Sequence, residues 1–171
     1  MQLCFLHGLE SSPQGTKAKL LKKRYPQCLI PFLPPDIHER VRIVEQEVSE
    51  PVLTVGSSLG GLTAVMFAMK HPEMFKAMVL LAPAVGCSDV SLFAEERQRI
   101  FPSLYVPQGI PTIIIAGIRD ALIPLPAIRE MIQRSPDPEQ IQLYEVDDEH
   151  DLNQSLEFMM QKIEQIRTKI A

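Results

Sequence analysis

One run in this 171-residue chain could turn a weak nucleophile into a strong one: Gly56-Ser57-Ser58-Leu59-Gly60-Gly61. It follows an apolar stretch, residues 52–55, and precedes a helical pattern, so the G-x-S-x-G spacing falls between a strand and a helix. A turn this tight strains the backbone of its central residue, and flanking glycines let the chain pass without side-chain collisions. The helix that follows aims its first N–H groups at the turn, where they favour a developing negative charge. The spacing selects Ser58 and not Ser57. A glycine-rich turn can also cradle a phosphate, but no Lys follows the glycines as a phosphate loop would require.

A serine hydroxyl needs a base, and the base needs an orienting group. Where a nucleophile of this kind stands after a strand, its partners follow in the order acid, then His. Asp120 stands in AGIRDALIP, just past the apolar run 112–116, and His150 stands in DDEHDL, just past the run 141–146. Both positions lie beyond strand C-terminal ends, where parallel sheets hold their ligands. The other histidine after Ser58 is His71, in the helix-end sequence KHPE, which reads as solvated. Asp147, Asp148 and Asp151 crowd His150 and are the alternative acids, but residues so near in sequence rarely present a carboxylate to the ring in the needed geometry, which favours Asp120. One imidazole among adjacent carboxylates is a poor zinc set, so DDEHD reads as a polar loop and helix cap.

Leu6-His7-Gly8-Leu9 closes the first apolar run, and the backbone N–H groups of Leu9 and Leu59 are the candidate oxyanion donors. Gly8 permits close approach to a substrate carbonyl. His7 reads as structural, its ring tied to the loop, with direct chemistry as the lesser alternative. Ser11 and Ser12 read as turn and N-cap groups.

These residues need a scaffold, and the apolar pattern supplies one. Residues 2–6, 28–32, 52–55, 77–81, 112–116 and 141–146 read as strands, the middle ones nearly continuous Val, Ile and Leu, as in parallel strands covered on both faces. Ile37, Val41, Val44 and Val48 form one helical stripe; Leu152, Leu156, Met159, Ile163, Ile166 and Ile170 form another. The segment 60–69 is apolar nearly all round, so its helix should be buried. The alternation predicts one three-layer α/β domain over residues 1–171 with a mostly parallel, six-stranded sheet. Between Pro83 and Pro111 the rhythm breaks. Residues 84–110 read as a small cap over the ligand site, with Glu95, Glu96, Arg97, Gln98 and Arg99 in a polar helix and Phe93, Phe101 and Tyr105 among the polar residues.

Composition removes several function classes. Lys plus Arg is 17 and Asp plus Glu is 21, a formal net charge of −4, so there is no basic excess to neutralise phosphates or an anionic membrane. No apolar run approaches the ~20 residues of a spanning helix. MQLCFLHG has neither a basic n-region nor a cleavage site, so no signal peptide is expected. Cys4, Cys28 and Cys87, odd in number and scattered, read as reduced thiols of a cytoplasmic protein. The 15 prolines cluster between apolar runs, as punctuation.

With LHGLESSPQGTKAKLL at the start, VGSSLGGLTAV at the turn, Asp120 at a strand end and His150 late, nearly the whole chain resembles the small α/β-hydrolase esterases of the YqiA type. The resemblance implies a triad of Ser58, Asp120 and His150, and a minimal hydrolase fold lacking the usual first antiparallel strands, with sheet order 2-1-3-4-5-6. The expected activity is hydrolysis of small carboxylic esters by a cytoplasmic serine hydrolase without cofactor or metal. Its expected partner is the small-molecule ester or thioester substrate, with no nucleic acid or membrane and the oligomeric state open. Two alternatives remain: an acyl thioesterase with the same triad, and a non-catalytic binding protein on the same fold.

Overall fold

Side chains that alternate along the strands divide the core in two. In β1 (Leu3–Leu6), Cys4 and Leu6 enter one apolar layer, while Leu3 and Phe5 enter the other. The same division runs through β2 (Val52–Ser57), β3 (Phe75–Leu81) and β4 (Thr112–Gly117), whose residues are buried almost throughout. The fifth strand, β5 (Ile141–Val146), is half exposed, as an edge should be. All neighbours pair in parallel in the order β1-β2-β3-β4-β5 in this computed structural model, which describes residues 2–170.

Because the strands step in one direction and parallel crossovers share one hand, the connecting helices α2 (Ile37–Glu47), α3 (Leu59–Lys70) and α5 (Leu125–Arg134) fall on one face. The helices α1 (Thr16–Arg24) and α6 (Leu156–Lys169) cover the other through Ala18, Leu21, Met159, Ile163 and Ile166. This is the α/β-hydrolase architecture with a parallel sheet.

The sheet has five strands, not the six expected. Residues 28–32 make only a single bridge, Leu29 beside Cys4, with Phe5 N–H donating to Leu29 O and Leu29 N–H to Leu3 O, both at 2.8 Å. The ladder stops there because Pro31 has no N–H to donate, and Phe32 turns outward, 68% exposed. Its place beside β1 is still the one the resemblance implied.

In the segment 84–110, Ala84, Val85, Phe101, Leu104 and Val106 are buried in the core, while α4 (Ala94–Arg99) buries none of its residues. Arg97 ties this outer part down by donating to the carbonyls of Cys87 and Asp89 at 2.8 and 2.9 Å. Among the described residues no helix is long and apolar enough to cross a membrane.

Candidate active site

Ser58 stands between β2 and α3 with φ 52° and ψ −117°, a conformation side-chain-bearing residues rarely adopt. The turn closes only around glycine. A Cβ on Gly60 would run into the carbonyl of Leu6, and one on Gly56 would lie 2.6 Å from the Gly60 oxygen. Ser58 N–H is held by Leu81 O at 2.9 Å, and Ser58 O accepts from Gly61, Leu62 and Ala84. The side chain is thereby left free at the C-terminal edge of the sheet.

Two other edge loops meet it there. Ser58 Oγ lies 2.8 Å from His150 Nε2, and His150 Nδ1 lies 2.8 Å from Asp120 Oδ2. An ionised carboxylate only accepts, so Nδ1 carries the ring proton and Nε2 accepts from the Ser58 hydroxyl. Asp120 follows β4; its Oδ1 accepts the N–H groups of Leu122 and Ile123 at 2.8 and 2.9 Å. Burial works to raise the Asp120 carboxyl, but the hydrogen bond from His150, those two N–H groups and the facing imidazole outweigh it. The carboxyl therefore sits below its usual range. The structure brings all three predicted side chains together.

The acids around His150 have other work. Asp147 pairs with Arg119 at 2.7 Å on the surface, and Asp151 accepts from Asn153. Asp148 is buried, 1% exposed. Its Oδ1 accepts from Glu149 N–H at 2.8 Å, and its Oδ2 from Gln154 N–H and the Ser155 hydroxyl, both at 2.9 Å. Burial pushes this carboxyl up, the N–H and hydroxyl donors pull it down further, and the net shift is downward. Asp148 braces the loop that carries His150, a role more specific than the polar loop expected from DDEHD.

Leu9 and Leu59 border the same cavity, of about 620 Å³, with Ser58 and His150. Neither of their backbone N–H groups donates to a protein acceptor among the described residues. Gly8 lies against the turn: a Cβ there would sit 3.4 Å from that of Ser58. Phe5, Ala84, Leu92, Phe93, Leu122 and Ile123 supply the apolar part of the remaining wall, and Glu10, Ser11, Thr16, Lys17, Ser57, Asp151 and Asn153 supply a polar part. His71 lies apart at the end of α3, against Glu45 and Glu73. His7 is buried and structural in its contacts. Its Nδ1–H donates to Gly8 O at 2.8 Å, and its Nε2 accepts Leu33 N–H at 3.1 Å. Burial lowers its pKa, the Gly8 carbonyl partly opposes this, and Arg40 lowers it further, so the ring stays neutral.

One contributor went unread in the sequence. Arg40 of α2 is 0% exposed, and its guanidinium faces the loop of His7 and Gly8. The signal was present, since Arg40 stands three residues after Ile37 and four before Val44, on the apolar stripe where an exposed Arg does not belong.

Comparison with known proteins agrees with the fold. The structure matches over 98% of both chains a hydrolase of the alpha/beta superfamily from Xanthomonas campestris, with TM-score 0.75 at 21% identity. It also matches Est1E of Butyrivibrio proteoclasticus, solved with ferulic acid bound, with TM-score 0.74 at 14% identity over 98% of this chain and 88% of that one. A monoacylglycerol lipase from Paleococcus ferrophilus matches with TM-score 0.70 at 16% identity over 96% and 93%. Among curated proteins none matches by sequence. The profile of the Hydrolase_4 family, described as serine aminopeptidase, S33, matches residues 35–167, a span that holds Ser58, Asp120 and His150. The chain belongs to the Hydrolase_4 family and has the α/β-hydrolase fold.

Proposed function

We propose that the protein is a serine hydrolase of small carboxylic esters, with Ser58 as nucleophile, His150 as base, Asp120 as orienting acid and the N–H groups of Leu9 and Leu59 as oxyanion donors. The observation that carries this is the continuous pair of 2.8 Å hydrogen bonds from Ser58 Oγ through His150 to Asp120. His150 Nε2 takes the hydroxyl proton as Ser58 Oγ bonds to the ester carbonyl carbon. The carbonyl oxygen becomes an oxyanion facing the two free N–H groups. The proton then passes from Nε2 to the departing alkoxide, which leaves as alcohol and gives the acyl-enzyme. Water repeats the sequence: His150 takes its proton, the hydroxide adds to the acyl carbon, and Ser58 leaves with the proton returned. These groups and water complete the cycle, so the reading calls for no cofactor or metal.

The apolar wall supports an acyl group as the part bound, and Leu92 and Phe93 at the cavity support the segment 84–110 as its cap. The resemblance to YqiA-type esterases, the ferulic acid in Est1E and the lipase among the similar structures favour ester chemistry. Three buried free thiols suit a reducing cytoplasm. The test compares an oxygen ester, a thioester of the same acyl chain and an aminoacyl anilide. The oxygen ester should turn over fastest, and Ser58→Ala should remove several orders of magnitude of that activity. Faster thioester cleavage would make the protein a thioesterase. Failure on all three would favour the binding protein.

A further inference from the structure

The peptide joining Gly8 to Leu9 has its two ends in different company. Its N–H, that of Leu9, is the candidate oxyanion donor and has no protein acceptor among the described residues. Its C=O, that of Gly8, accepts from His7 Nδ1 at 2.8 Å, from Arg40 Nη2 at 3.2 Å and from Ser11 N–H at 3.4 Å. In a trans peptide the C=O and N–H point in opposite directions. Donors that hold the oxygen on one side therefore hold the N–H on the other.

Arg40 does more than touch this oxygen. Nη1 donates to His7 O at 2.9 Å and lies 3.5 Å from Thr63 Oγ1, and Nε donates to Pro34 O at 2.6 Å. Its partners are carbonyls and a hydroxyl; among the described residues no carboxylate pairs with it. Burial draws its pKa down to about 10, which leaves it a cation at neutral pH. A buried cation without a counter-charge is an expensive way to obtain stability, because apolar residues fill such volume at less cost. Donation to one end of a peptide also polarises the other, which makes the N–H a stronger donor.

The geometry points to Arg40 as a positioning residue for the oxyanion site: through His7 O and Gly8 O it fixes and polarises the Gly8–Leu9 peptide, so that Leu9 N–H faces the developing charge beside Ser58. This rests on the proposed ester-hydrolase reading. His7 is the second clamp on the same oxygen. The cation adds a field of the right sign for a substrate oxyanion, and it needs no touch on the substrate to act.

Arg40→Met and Arg40→Lys, measured beside wild type with the oxygen ester, test this. For Arg40→Met with a native circular dichroism spectrum, kcat should fall about 10- to 100-fold with KM little changed, since a misplaced donor is felt at the transition state. Arg40→Lys keeps the charge but cannot span the carbonyls of Pro34, His7 and Gly8, and should recover only part of the loss. A folded Arg40→Met with wild-type kcat, or with a change confined to KM, overturns the proposal. Wild type alone gives a second test that needs no variant to fold. A fluorophosphonate forms a Ser58 Oγ–P bond with loss of fluoride, and its phosphoryl oxygen then takes the oxyanion position. The side-chain ¹⁵N–¹H signals of Arg40 should move on labelling. Those of Arg134, which donates to the distant carbonyls of Phe101 and Leu104, should not. Unmoved Arg40 signals overturn the proposal. A wild type that neither cleaves esters nor takes the label defeats the ester-hydrolase reading itself, a result separate from an active wild type that Arg40→Met equals.

Discussion

The carbonyl oxygen of Asp148 accepts the N–H of Arg119 at 3.0 Å, which joins the loop bearing His150 to the loop bearing Asp120. The two loops approach so closely at Gly117 that a Cβ there would stand 2.5 Å from Asp148 O and 2.7 Å from Glu149 O. Gly117→Ala should therefore push His150 and Asp120 apart. The expected result is a kcat lower by about 10²-fold, the scale of an ångström's misplacement. Steady-state kinetics on the folded variant checks it.

Asp120 and Asp147 offer a direct contrast. Asp120→Asn removes the acceptor that fixes the His150 tautomer and should cost up to ~10⁴ in kcat while the fold persists. Asp147 makes only an exposed pair with Arg119, worth ~1 kcal/mol or less. Asp147→Asn should thus leave both melting temperature and kcat near wild type. Kinetics and thermal melts on the two variants separate the roles.

Acid should loosen the protein through Asp148. Its carboxyl is held below the usual range in the folded state, so the unfolded chain binds its proton first as pH falls. The stabilisation is whole above the ordinary Asp value of about 3.9. It is lost as pH drops through the folded value. Urea midpoints between about pH 3 and 6 should show a shallower acid decline for Asp148→Asn than for wild type, alongside a destabilisation of about 1–3 kcal/mol at neutral pH from weakened buried hydrogen bonding.

Ser58, Asp120 and His150 were legible because each rests on local spacing: a glycine turn after a strand, and a polar residue three or four positions beyond the end of each of two later strands. The run 141–146 was legible to the residue for the same reason. The stretch 28–32 looked like a sixth strand by composition, yet Pro31 and the outward Phe32 end its pairing after one bridge. Propensity does not count donors. Asp148 and Arg40 were hidden more deeply, since what a charged side chain touches depends on which loops the sheet brings to one edge. Arg40 alone left a trace, on the apolar stripe of α2.

The segment 84–110 divides by burial, and the division selects the residue to change. Phe101 is 7% exposed within the core, so Phe101→Ala should destabilise by about 3–5 kcal/mol and say little about substrate. Phe93 lines the cavity at the tip, in the left-handed region at φ 54°. Phe93→Ala should shift acyl chain-length preference with little loss of stability. Rates across esters of increasing chain length read this out, and an unchanged profile removes the segment from the cap role.

Intact-mass analysis after fluorophosphonate treatment tests the central assignment most directly. Wild type should gain the mass of a single label, mapped to Ser58, and Ser58→Ala should gain none. A label mapped to Ser57, or one that persists in Ser58→Ala, would contradict the assignment of Ser58 as the nucleophile.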